Sequence, residues 1–149
     1  MNGLNLLSNI EFVRTHSGAS SAQTATGAVI DAANCEGVLF VASFGTVATT
    51  TGTNMYVNAG DTTSSTGHSK LADTTVEDAS TGSNRLLAVD LYRPTEGQYV
   101  SNSIVLKTGD VLDGAIAIKY GVRKAPVSQS TSYFSSTAAY TTAVSPSTA

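Results

Sequence analysis

EGVLFVASFG, residues 36–45, carries no charge after Glu36 and places apolar side chains on both sets of alternating positions. That is the pattern of a central strand buried on both faces. Val38, Phe40, Ala42 and Phe44 fall on one side of it, since side chains alternate across a strand.

The segments around it read the same way. Asn54-Met55-Tyr56-Val57-Asn58 alternates and ends in Ala59-Gly60-Asp61, a turn signal. Arg85 to Tyr92 puts Leu87, Val89 and Leu91 on one side and Asp90 on the other. Arg93-Pro94-Thr95-Glu96-Gly97 then turns the chain, with Pro94 presetting φ. Tyr99 to Lys107 returns with Val100, Ile104 and Leu106 inward, interrupted by Asn102. The expectation is a hairpin, the strongest in the chain. Thr108-Gly109-Asp110 makes another turn, and Asp113-Gly114 precedes a last strand, Ala115 to Tyr120. Weaker strands are expected at Ile10–Thr15, Ala28–Asp31 and Asp73–Val76. Ser17–Gly27 and Thr62–Ser69 are too polar to pack and read as loops, the second long and mobile. Short strands separated by turns every ten or so residues describe an all-β protein, a β-sandwich or jelly roll, with a small barrel as the alternative. Nothing repeats at a fixed period.

Composition agrees. Charged residues are only 13% of the 149, about half the usual ~25%. Thr and Val favour pleated surfaces, and a chain of this length buries about 68–70% of its unfolded surface without staples. The net charge of −3 and the lack of a basic run beyond Arg123-Lys124 argue against binding nucleic acid or an anionic membrane. The single Cys35 stands before an apolar run and reads as a small hydrophobe. No run of apolar residues is long enough to span a membrane, and MNGLNLLSNIEF lacks the basic and apolar regions of a signal peptide. A soluble protein made in a cytoplasm is expected.

Candidate chemistry is sparse. His16 and His68 lie far apart without a nearby Cys, which argues against a metal site; both read as loop histidines in water. No nucleophile elbow and no phosphate-cradling loop occurs. Glu77-Asp78 reads as part of a polar loop, and Asp110 and Asp113 as turn formers rather than a catalytic pair. No enzyme, no metal and no cofactor is expected. A carbohydrate-binding module fits the sandwich, but the chain has no Trp on which to stack a sugar.

After Lys124 no charged side chain appears, yet Tyr133, Phe134 and Tyr140 remain. Such a segment suits an arm that orders on a neighbour, its rings acting as anchors, and its lack of charge avoids burying an unpaired ion. Residues 1–8 are read as an N-terminal arm, 9–124 as the sandwich and 125–149 as a C-terminal arm. The expected assembly contacts are Leu4, Leu6, Arg123, Lys124, Tyr133, Phe134 and Tyr140.

The stretches Asn84–Pro94, Tyr99-Val100 and Gly114–Val127, with Gly37–Gly45, resemble small virion proteins of tailed bacteriophages, over residues 36–126. The resemblance implies a head-associated cement (decoration) protein on the capsid surface, a virion component made in the host cytoplasm. Its implied partners are the major capsid protein and further copies of itself, as a homotrimer on local threefold positions. The alternative is a tail or baseplate β-module whose loops, Thr49–Ser69 especially, contact host-surface glycan.

Overall fold

The computed structural model describes residues 6–94, 97–123, 127, 129–130 and 132–133. Leu4, Lys124, Phe134 and Tyr140, expected as contacts, lie outside the described residues. The fold is all-β. β1 (Glu11–His16), β4 (Gly37–Val47), β8 (Gly82–Tyr92) and β10 (Val111–Tyr120) form a four-stranded sheet in the order β1-β10-β4-β8. β2 (Gln23–Thr26), β3 (Ile30–Asp31), β5 (Thr53–Gly60), β6 (Ser69–Lys70), β7 (Val76–Asp78) and β9 (Tyr99–Leu106) form the second, along β2-β9-β5-β6, with β3 also on β9 and β7 also on β5. Every pairing is antiparallel, and the pairs are nested: β1 with β10, β2 with β9, β4 with β8, β5 with β6. The helical pieces among the described residues are two 3-10 turns, Leu6–Ser8 and Ser65–Gly67. Among the described residues no helix is long and apolar enough to cross a membrane.

β4 organises the core. Val38, Phe40, Ala42 and Phe44 are fully buried, in one cluster with Met55, Val57, Val100 and Ile104 of the opposing sheet. Burial on the second face does not occur: Leu39, Val41 and Ser43 are only half-buried. β4 is flanked by strands on both edges, but a two-layer sandwich covers only one face of each sheet.

The expected hairpin is overturned. β8 pairs with β4, whereas β9 pairs with β2, β3 and β5 in the other sheet. Leu87 and Val89 therefore share one core cluster with Val100 and Ile104 from the opposing sheet rather than lying beside them in one sheet. A two-residue period tells which side chains face inward, not which strand lies alongside. In the connection between them Arg93 lies at φ 49° and Gly97 at φ 145°.

Two expected loops also take regular structure. Gln23–Thr26, inside the polar 17–27 stretch, pairs with Ser103–Leu106, and Glu77-Asp78 belongs to β7 rather than to a loop. In Thr62–Ser69, His68 is held by Ser101 Oγ at 3.1 Å and by Thr62 O at 2.9 Å, not left in water.

His16 is also no loop residue. It is 7% exposed at a β-bulge of β1, its Nε2 lying 3.1 Å from Ala25 O and its Nδ1 3.2 Å from Thr15 Oγ1. A carbonyl only accepts, so Nε2 carries the proton and Nδ1 accepts from the hydroxyl. Burial pushes the imidazole below its usual range, and the bond to Ala25 offsets part of that. The unfolded chain then takes up the proton first. Stability is complete above about pH 6.5 and is expected to fall as pH drops below it, by at most about 1.4 kcal/mol per pH unit. Melting temperature followed from pH 8 to 5 should show this slope, and His16→Gln should flatten it.

Asp110 is the largest departure from a surface turn. It is fully buried. Its carboxylate accepts from Ala48 N at 2.8 Å, Lys107 N at 2.7 Å and Thr53 Oγ1 at 2.5 Å. It thereby ties the β4–β5 crossing to the β9–β10 crossing. Burial pushes the carboxyl up, but the bonds from Thr53, Ala48 and Lys107 outweigh it and hold the group below the usual range. Asp113 is exposed and accepts from Ser43 Oγ at 3.2 Å.

Candidate assembly interface

The two outer faces of the sandwich differ in chemistry. On the six-stranded sheet, the register sets Asn58 beside Ser101 and Tyr56 beside Ser103. These groups bond one another: Asn58 Nδ2 donates to Ser103 Oγ at 2.8 Å, and Thr26 Oγ1 lies 2.9 Å from the same hydroxyl. Lys70 sits over the Tyr56 ring at 4.5 Å. This face is polar and internally satisfied.

On the four-stranded sheet, the outward rows are Phe12-Ile118-Leu39-Asp90 and Arg14-Ile116-Val41-Ala88, with Ser43 beside Leu86 at one end. Leu86 is 67% and Ile116 39% exposed. Asp90 is engaged by the Tyr120 hydroxyl at 2.6 Å, and burial, then that carboxylate, push the phenol far up. Tyr120 lies across Gly37, where a Cβ would come within 2.2 Å of its hydroxyl. Sheets of soluble proteins normally put polar residues outward, and contiguous apolar patches of more than a few hundred Å² mark contact sites.

The two terminal segments meet at the β1 edge of this sheet. Val127 N donates to Ser8 O at 2.9 Å. Gln129 is buried: Phe12 N donates to its Oε1 at 3.1 Å, and its Nε2 donates to Leu7 O at 3.2 Å and Ile10 O at 2.7 Å. Ser132 and Tyr133 then border a 420 Å³ cleft with Phe12, Arg14 and Ile116. Through Arg14 and Ile116 it adjoins a shallower groove along Val41 and Ser43. Gln129→Ala removes two donors and an acceptor from this edge. It is expected to cost about 1–2 kcal/mol in urea denaturation and to speed hydrogen exchange at the Phe12 amide.

The expected contact residues divide. Leu6, 68% exposed, belongs to the 3-10 turn that Gln129 and Val127 tie down, and Tyr133, 42% exposed, lies further along the same edge. Arg123 lies elsewhere, lining a separate 480 Å³ cleft with Glu36, Arg93 and Gln98. Cys35 borders that cleft but is buried, and burial pushes its thiol up, in keeping with a packing role. Among the described residues no three His, Cys, Asp or Glu side chains converge as a metal site would require. Sequence reasoning misses Gln129 and the outward apolar rows. The rows are signalled by the second apolar set in residues 36–45, whose pattern alone reads as burial. Comparisons with protein families, curated proteins and solved structures find no match.

Proposed function

We propose that this chain is a structural virion protein of a tailed bacteriophage, a cement protein that binds the outer surface of the capsid, with the major capsid protein and two further copies of itself as partners. The observation that carries the reading is the unequal pair of outer faces: an apolar, exposed sheet face, with an uncharged, ring-bearing segment arriving at its rim. A rigid module with one adhesive face suits a role in which many identical weak contacts stabilise a shell. The nested strand pairing supports a jelly roll, an architecture that recurs in viral capsid and lectin domains, although fold alone does not fix function. Leu6, Tyr133 and the residues after Tyr133 are the proposed contacts.

The test uses heads purified from a phage that encodes the chain, with that gene disrupted. The full chain should pellet with the heads saturably. A chain ending at Tyr133 should bind at least about tenfold more weakly, the loss expected of one buried aromatic anchor. Equal binding by both chains would remove the segment from the contact.

A second reading, a tail or baseplate module that contacts glycan, has one observation in its favour: the Tyr56 ring with Lys70 over it on the polar outer face of the six-stranded sheet. Binding of the isolated protein to a glycan array, without binding to heads, would favour it.

A further inference from the structure

We infer that the cleft holding Arg93 and Arg123 binds the carboxylate of an acidic peptide segment on a partner chain. The main chain brings the two arginines to one place. Residues 34–36 accept from both of them, Arg93 N donating to Glu36 O at 2.7 Å and Arg123 N to Asn34 O at 3.0 Å. Their side chains then line the same 480 Å³ cleft, together with Glu36 and Gln98. Among the described residues neither guanidinium has an ion-pair or hydrogen-bond partner. Arg93 only lies over the Tyr92 ring, 5.1 Å from its centre. Glu36 is the one acidic side chain lining the cleft, against two cations. Asp31, bonded to Gln98, is already engaged: it accepts from Ala33 N at 2.9 Å and from Gln98 Nε2 at 3.1 Å.

A planar guanidinium matches a carboxylate with two parallel N–H···O bonds, and a cleft screens that attraction less than an open surface does. Arg93 also stands at φ 49°, in the left-handed region where a residue other than glycine is uncommon. Such strain persists where the surroundings hold it in place, and it collects at binding sites. Glu36 in the wall repels a dianion such as phosphate more than a singly charged carboxylate. A second cleft favours a peptide over a free anion. Arg93 and Pro94 also border this 500 Å³ space, whose walls include Leu71, Leu91 and Tyr92. An extended segment turns residues i and i+2 to one side, so an acidic side chain can enter the first cleft while an apolar one enters the second. No residue of the outward rows of the four-stranded sheet lines either cleft, so the inference does not rest on the cement reading.

The experiment uses the isolated full chain, so its failure and the failure of head binding are separate results. The blocked peptide Leu-Ser-Glu-Ser-Leu is titrated into isotope-labelled protein, and the Nε–Hε signals of Arg93 and Arg123 are followed by NMR. Both should shift saturably, with a Kd on the order of a millimolar for so short and flexible a ligand. The same peptide with Gln in place of Glu should bind at least about tenfold more weakly, the loss expected of a charge-assisted hydrogen bond. Arg93→Gln and Arg123→Gln keep the backbone donors that hold residues 34–36, and each should weaken the Glu peptide by a similar factor. Glu36→Gln, which removes the opposing charge, should tighten it several-fold. Signals that do not move, or equal responses to the Glu and Gln peptides, would overturn the inference. Inorganic phosphate binding more tightly than the peptide would overturn it too, by making the cleft a site for a free oxyanion.

Discussion

Asp110→Ala is expected to destabilise the protein by about 3–5 kcal/mol, the range for breaking a buried charged network, and so to lower the melting temperature by roughly 10–15 °C. The carboxylate is the shared acceptor for two backbone N–H groups and one hydroxyl, from three points along the chain. Removing it leaves those donors buried without partners, at about 1–3 kcal/mol each before relaxation. It also frees both crossings between the sheets at once. Asp110→Asn tests the charge separately. It keeps one acceptor oxygen but turns an amide NH2 towards donors, and should cost roughly 2 kcal/mol. The wild-type contribution is held above the ordinary carboxylate range, because the folded-state pKa lies below the unfolded one. It should be lost as pH falls below about 4. A melting temperature unchanged in Asp110→Ala would mean that water satisfies these donors and that the two crossings are not tied together.

Gly97→Ala should have a comparable effect for a different reason. Gly97 has φ 145°, and a Cβ there would lie 2.7 Å from Gly60 O, 2.8 Å from Gly60 C and 2.9 Å from Gly60 N. All three are backbone atoms at the end of β5, which pairs there with Tyr99, so no side chain can swing aside. The strained φ costs about 1–3 kcal/mol and the enforced backbone shift a similar amount, giving a loss of roughly 3–5 kcal/mol in denaturant unfolding. Gly109, at φ 91° with one close atom, Ala48 Cβ at 2.8 Å, offers a comparison with a similar φ strain but a single clash. A near-normal Gly97→Ala protein would show that Gly97 does not approach the Gly60 backbone this closely.

Much of the sandwich is legible in the sequence because alternation is a local property. Val38, Phe40, Ala42 and Phe44 can be assigned to one buried face without knowing any partner, as can Leu87 and Val89. Partnership cannot be read locally. The 85–107 segment has the turn residues and the alternation of a hairpin, yet its strands lie in opposite sheets, because facing sheets satisfy the same inward pattern. Asp110 has the sequence context of a surface turn, and only its neighbours from residues 48 and 53 make it a buried anchor. Gln129 is the extreme case: its partners lie 117 to 122 positions away, beyond any pattern in a polar Ser/Thr stretch. The apolar outer face is half visible. Leu39 and Val41 are plainly apolar, but the composition that buries a strand on both sides in a three-layer fold exposes one side in two layers.

The most direct measurement of the proposed role is electron cryomicroscopy of heads that lack the protein, after incubation with an excess of the purified full chain. Added density the size of this sandwich is expected on the outside of the shell at local threefold positions, with the four-stranded sheet turned towards the capsid. Heads identical before and after incubation, or density confined to the tail or baseplate, would contradict the assignment to the capsid surface.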